Sequence, residues 1–308
     1  MDRWHPRRLD GYGRHPPDPQ WPGGARLALQ FVLNVEEGAE HTVLNGDEGS
    51  EVYLSEIAGG RPVFGRRNYG VESLFDYGAR VGFWRILRLF ENRGLPLTAF
   101  AVGRALELNP EAGAALSELG HEVAGHGYRW IDYGDVDETT ERAHIELTCK
   151  VIEETTGDSP VGWYTGRVSP NTRRLLVESG RILYDSDAYD DELPYWLAGN
   201  GNCHLVIPYT LVNNDIRYVL SPGCANADDF FALLRDAFDV LWDEGRPRMM
   251  SVGLHSRLSG HPARAAAVGR FLDYVTERDG VWICRRRDVA EHWRLRFPPA
   301  TGRSGSTS

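Results

Sequence analysis

Cysteine is scarce in this chain: four residues in 308, at Cys149, Cys203, Cys224 and Cys284, with no Cys-x-x-Cys pair. That composition excludes a dense disulfide scaffold, and in a reducing compartment the four remain thiols. Cys149 falls in a helical pattern and Cys284 in an apolar run, so both read as buried. Long apolar runs are also missing. No stretch approaches the roughly 18 residues of a membrane span, mean hydropathy is -0.40, and no membrane partner is expected. Positive charge is in deficit, with 34 Lys and Arg against 44 Asp and Glu and a net charge of -10. A nucleic-acid partner is therefore not expected. The opening Met-Asp-Arg-Trp-His-Pro-Arg-Arg has no apolar stretch behind its charges. The expected location is cytoplasmic, which counts against an exported cell-wall or chitin substrate.

What is present suffices for one large core. Hydrophobic residues make up 42% of the chain, and nine tryptophans and thirteen tyrosines also suit a pocket that sandwiches a small planar ligand. Short apolar runs alternate with helical periods. Strands are predicted over 28–35, 96–102, 122–124, 161–164, 182–185, 204–211, 249–254 and 281–284. Helices are predicted over 78–93, 110–119, 137–155, 171–178, 230–244, 264–276 and 287–293. This rhythm predicts a single-domain α/β fold, a (β/α) barrel of about seven parallel strands, open or closed. The barrel spans 26–296, behind an ordered arm over 1–25 and ahead of a disordered tail over 297–308. Residues 38–70 read as a long functional loop or lid. Arg285-Arg286-Arg287 reads as a local surface or salt-bridge cluster.

The polar candidates cluster at predicted strand ends. Glu36, Glu37, His126, Arg167, Asp185, Asp187, Asn214 and His255 all fall at or just past a strand's C-terminal end, the face on which such barrels build active sites. Adjacent acids such as Glu36 and Glu37 point in different directions and can divide a base role from an orienting role. A histidine such as His126 or His255 titrates near neutrality and serves as acid or base. Taken singly, each residue has a structural alternative: a solvated acid pair, a hydrogen-bonded core histidine, or Arg167 paired with Asp185 or Asp187.

Several strings together resemble the metal-independent allantoinases of bacterial purine catabolism, a branch of the polysaccharide deacetylase (NodB-like) superfamily. They include Gly11-Tyr12-Gly13-Arg14, Phe31-Val32-Leu33-Asn34, Tyr77-Gly78-Ala79-Arg80, His126 through Trp130, and Gly162 through Arg167. Tyr184-Asp185-Ser186-Asp187, Leu193-Pro194-Tyr195-Trp196, Ile207-Pro208-Tyr209-Thr210 and Gly253-Leu254-His255 complete the set. In most of the superfamily an Asp and a His-x-x-x-His pair hold one divalent metal. Here the second histidine position is Trp130, whose indole can donate a hydrogen bond but cannot ligate a cation. The resemblance implies opening of the five-membered ring of allantoin to allantoate, with no required metal and no cofactor. It also implies a distorted, NodB-like (β/α) barrel and a homo-oligomer, a tetramer.

Within that resemblance Glu36 is the expected general base and His255 the general acid. His126 and Arg167 are expected to orient the carbonyl and stabilise the oxyanion. Glu37, Trp130, Tyr164, Asp187 and Asn214 form the expected substrate-binding set, with Trp130 and Tyr164 against the ring and Asn214 at the ureido tail. Gly125, Ser256, and Gly260-His261 depart from the pattern of that branch, so a hydantoin or another cyclic ureide or imide stays open as substrate. The rival readings are a metal-dependent N-acetyl-sugar deacetylase and a binding protein that has lost catalysis.

Overall fold

A computed structural model describes residues 4–57, 59–199 and 202–299. Among the described residues nine strands form one sheet: β1 (Leu27–Val35), β2 (Thr98–Ala101), β3 (Glu122–Gly125), β4 (Gly162–Trp163), β5 (Tyr184–Asp185), β6 (Tyr195–Gly199), β7 (Asn202–Val206), β8 (Arg248–His255) and β9 (Val281–Ile283). Their order is β6-β7-β5-β4-β3-β2-β1-β8. β9 pairs with the first half of β1, at Leu27–Leu29, and β2 pairs with the second half, at Val32–Val35. Every pairing is parallel except β6 with β7. The sheet curls into a half-barrel rather than a closed one. Between β7 and β8 the contact reduces to an isolated bridge between Asn214 and Gly253.

The antiparallel β6 is the strand that periodicity does not reveal. Its five residues include two glycine or alanine positions and form a hairpin arm with β7. The predicted strand over 204–211 shortens accordingly to Asn202–Val206.

Alternation on β1 separates the two sides of the sheet. Leu27, Leu29, Phe31 and Leu33 face the helix layer, in one cluster with Phe83, Ile86, Leu87 and Phe90 of the helix Phe83–Glu91 and with Phe271 and Leu272 of Pro262–Thr276. The inner side carries Val32 beside Phe100, Tyr164 and Tyr209. Arg285 and Arg287 form the expected salt bridges, with Asp288 and Glu291, but Arg286 between them is fully buried and fills the barrel interior, which corrects the surface reading for that residue. Its three nitrogens donate to Ser186 Oγ (3.1 Å), Ser251 Oγ (2.8 Å) and the Pro208 carbonyl (2.8 Å). Neutral acceptors thus satisfy a buried guanidinium.

The arm is tied down by Trp21 Nε1 donating to the Arg248 carbonyl (2.9 Å) and Arg173 Nη1 donating to the Trp4 carbonyl (2.6 Å). Phe297 belongs to the folded body: its ring lies 4.4 Å from that of Trp293 and its carbonyl accepts from Trp196 Nε1. The rest of the predicted tail, from residue 300 on, lies outside the described residues. No helix among the described residues is long and apolar enough to cross a membrane.

The strand ends are in register. Asn34 is level with His255, Val35 with Ala101, Ala101 with Gly125, Gly125 with Trp163, and Trp163 with Asp185. The next residues along β1, β3 and β4 are therefore Glu36, His126 and Tyr164, at one level of the barrel mouth. Behind them the predicted helix over 78–93 is interrupted by a π-helical turn, Gly78–Gly82. A Cβ at Gly82 would lie 2.0 Å from the Ser256 carbonyl oxygen. The helix can lie against the segment after His255 only because this position is glycine. Gly82→Ala should lower stability by about 1–3 kcal/mol, the ordinary cost of overpacking. Urea unfolding would check this, and an unchanged midpoint would contradict the packing account.

Candidate active site

The cleft at the barrel mouth is small, about 90 Å³, and is lined by Glu36, His126, Trp130, Tyr164, Arg167, Asn214 and His255, with Tyr53, Tyr189 and Tyr209 around them. Seven of the nine predicted site residues meet there. Glu37 and Asp187 do not.

Glu36 is the centre. Its side chain is almost wholly buried, with Oε1 3.2 Å from His126 Nε2 and 3.5 Å from His255 Nε2. Its Oε2 accepts from Arg257 Nη1 at 2.5 Å. Burial alone would push this carboxyl up. The Arg257 and His255 charges and the His126 hydrogen bond outweigh it and hold Glu36 well below the usual carboxylate range.

His255 is arranged in the opposite sense. Its Nδ1 donates to Asp215 Oδ1 at 2.6 Å, and its backbone N–H donates to Asp215 Oδ2 at 2.7 Å. Burial pulls the imidazolium down, but Glu36 and Asp215 raise it to about 9. At neutral pH the site therefore holds a carboxylate facing an imidazolium. His126 is fixed by Nδ1, 2.6 Å from the Tyr164 carbonyl. A carbonyl only accepts, so Nδ1 carries the hydrogen and Nε2 is turned toward Glu36 Oε1.

The aromatic wall forms from three elements. Tyr164 stacks on His126 (5.1 Å between centroids) and on Phe100 (4.8 Å), and its hydroxyl meets that of Tyr189 at 2.8 Å. Trp130 lies between two guanidinium groups, Arg167 at 4.7 Å and Arg257 at 4.8 Å. Arg167 Nη2 donates to the Trp130 carbonyl at 2.7 Å. The 38–70 loop supplies Tyr53, 6.0 Å from Trp130, and is pinned by Arg129 to Asp47 (2.5 Å). His41 in that loop pairs with Asp47 and does not line the cleft.

Glu37 turns behind Glu36. It accepts the Glu36 N–H (3.1 Å) and the Arg257 N–H (3.2 Å), and burial, partly offset by Arg257, raises it to about 7. Asp187 accepts the backbone N–H groups of Thr165 (2.9 Å) and Gly166 (2.7 Å), so it shapes the turn before Arg167. Burial first, and then Asp185, raises it to about 7. Both carboxylates are consumed by backbone donors, which is why neither reaches the cleft. Asn214 does line the cleft, but its amide accepts from Ile216 N (3.1 Å) and donates to the Thr210 carbonyl (3.1 Å). It caps the short helix Asp215–Tyr218 and thereby aims Asp215 at His255.

Sequence reasoning passed over Asp215 and Arg257. Asp215 follows Asn214 directly, and the strand-end rule that selected Asn214 extends to it. Nothing in the spacing distinguishes Arg257.

The residues do not fit a divalent metal. Trp130 offers no lone pair, the Arg257 guanidinium already lies against Glu36 and 3.9 Å from Glu37, and a second cation there would meet its repulsion. Among the described residues no group of three or more His, Cys, Asp or Glu side chains is arranged to hold a metal.

Residues 67–180 match the polysaccharide deacetylase family model. A curated protein of Schizosaccharomyces pombe that carries the polysaccharide deacetylase name is 41% identical over 95% of this chain and 98% of its own length. The crystal structure of Puue allantoinase superposes with a TM-score of 0.93 at 52% identity, covering 96% of this chain and 99% of that one. A structure from Pseudomonas aeruginosa PAO1, also carrying the polysaccharide deacetylase name, gives a TM-score of 0.93 at 53% identity with the same coverage. By this likeness over nearly its whole length, the chain belongs to the polysaccharide deacetylase family of hydrolases.

Proposed function

We propose that this chain opens the five-membered cyclic amide ring of allantoin to give allantoate, without a required metal. The observation that carries the reading is the opposed pair at the cleft: Glu36 Oε1 lies 3.5 Å from His255 Nε2, whose Nδ1 is backed by Asp215, so that the carboxyl is held low and the imidazole raised. Paired groups pushed apart in this way supply a base and an acid at one pH. The cleft also has the size and the aromatic lining for a small planar ring. The 52% identity to Puue allantoinase supports this choice of substrate over a polysaccharide.

Ring opening needs a proton taken from water, a stabilised oxyanion and a proton given to the departing ring nitrogen. Glu36 takes the water proton. His126, fixed through Tyr164, holds Glu36 in place. Arg167 lines the cleft with one donor spent on Trp130 and offers its remaining N–H groups to the oxyanion. His255, backed by Asp215, protonates the leaving nitrogen. Trp130 and Tyr164 are the walls of the ring site. The enzyme works in the cytoplasm as a homo-oligomer.

Each of Glu36→Gln and His255→Ala should lower kcat for allantoin by about 10²–10⁴, the usual contribution of acid–base catalysis. Near-native turnover in both would sink the assignment. The pH profile gives a second check. His255 must be protonated to act, so kcat/KM should fall as pH rises through about 9. Asp215→Asn removes a charge that raises His255, so the alkaline limb should move to lower pH. An unmoved limb would separate His255 from that limb.

A further inference from the structure

We propose that Tyr189 is the specificity-determining wall of this site: its ring shuts the small cleft off from two larger outer cavities and so restricts the substrate to a ring with a short substituent. The proposal rests on the reading of the cleft as a cyclic-amide site.

The cleft at the barrel mouth measures about 90 Å³, below the roughly 300–1,000 Å³ of common small-molecule pockets. Two cavities beside it are far larger. One, about 630 Å³, lies between the N-terminal arm at residues 8–13 and the loop from β5 to β6. The other, about 620 Å³, lies between that loop and the helix Ala227–Asp243, and carries Leu233, Val240, Met249 and Met250 on its apolar side. Tyr209 lines the cleft and the second of these cavities, whereas Tyr189 lines all three.

The two tyrosines are held differently. Tyr209 is buried, its hydroxyl accepts from Asn34 Nδ2 at 3.2 Å, and its ring packs edge-on against Tyr164 at 4.9 Å. It belongs to the barrel interior, where a smaller side chain leaves a destabilising hole. Tyr189 is 46% exposed and stands on the loop between β5 and β6. Its hydroxyl meets that of Tyr164 at 2.8 Å, at the edge of the aromatic wall. Burial pushes the Tyr189 hydroxyl up to about 12 and raises that of Tyr164 as well, so the contact is a hydrogen bond between neutral groups.

Backbone bonds on both sides place the ring. The Ala188 N–H donates to the Ser186 carbonyl (2.9 Å), and the Ala188 carbonyl accepts from the Tyr209 N–H (2.8 Å). Asp191 Oδ1 accepts the N–H groups of Glu192 (2.7 Å) and Leu193 (3.1 Å). The loop is thus fixed without the Tyr189 side chain, which is left to close the cleft. A wall of this kind selects by exclusion. An aryl substituent on the substrate ring needs the room that the Tyr189 ring fills, and the apolar side of the second cavity lies beyond it.

The test measures kcat/KM for allantoin and for 5-benzylhydantoin in the native enzyme, Tyr189→Ala and Tyr189→Phe. The native enzyme should favour allantoin, and equal turnover of the two overturns the proposal. Tyr189→Ala should raise the ratio of 5-benzylhydantoin to allantoin by about tenfold or more, an effect in the range that pocket size commands. Tyr189→Phe keeps the ring and loses one neutral hydrogen bond, so its ratio should stay within about threefold of the native value. If Tyr189→Ala fails to fold by circular dichroism, Tyr189→Leu decides: a raised ratio supports the proposal, and a native ratio overturns it. An unchanged ratio in folded Tyr189→Ala, with allantoin opened by the native enzyme, overturns the proposal alone. A ratio in Tyr189→Phe as high as that in Tyr189→Ala also overturns it, since the ring is then not the wall. Failure of the native enzyme to open either ring overturns the cyclic-amide reading, and the proposal with it.

Discussion

Keeping a carboxylate ionised out of water is the constraint on which this structure turns. Glu36 is buried almost completely. A carboxyl in that position protonates unless positive charge and hydrogen-bond donors surround it. Here they come from two separate parts of the chain: His126 after β3, and His255 with Arg257 at and just beyond the end of β8. The same charge that holds Glu36 low lifts His255, and Asp215 adds to the lift from behind. Acid and base are thus one electrostatic arrangement, read from two ends.

The scaffold serves that arrangement by registration. Parallel strands that end level with one another deliver Glu36, His126 and Tyr164 to the same height. Glycines then set the spacing behind them. At Gly125 a Cβ would lie 2.4 Å from the Trp163 ring, and at Gly78 it would lie 2.5 Å from Glu37 Oε1. Gly78 opens the π-helical turn, a feature common at functional sites. The turn brings the helix onto Glu37 and the Arg257 backbone, so the wide winding is part of how the acid pair is packed.

Much of this is legible in the sequence. The alternation of apolar runs and helical periods gives the layered α/β plan, and strand-end position singles out Glu36, His126, Arg167 and His255. The less legible parts have physical reasons. β6 is short, lies antiparallel at the sheet edge and has no apolar period of its own. Glu37, Asp187 and Asn214 carry suitable chemistry at suitable places, but their polar atoms are occupied by backbone groups, which depends on side-chain direction rather than spacing. Arg257 is hidden for the same reason. Its importance comes from lying between two aromatic rings and an acid, and residues 75, 130 and 36 are far apart along the chain.

Trp130 connects the parts. It closes one wall of the cleft, stacks against Arg167 and Arg257, and takes a position from which no metal ligand is presented. The account therefore turns on a site organised around an internal cation and a small flat substrate. The most direct measurement is a turnover panel of allantoin, hydantoins and N-acetylglucosamine oligomers, run with and without chelator. The account predicts rapid ring opening of allantoin, indifferent to chelator, and no release of acetate from the oligomers. Deacetylation of the oligomers that chelator abolishes and zinc restores, with allantoin untouched, would contradict it.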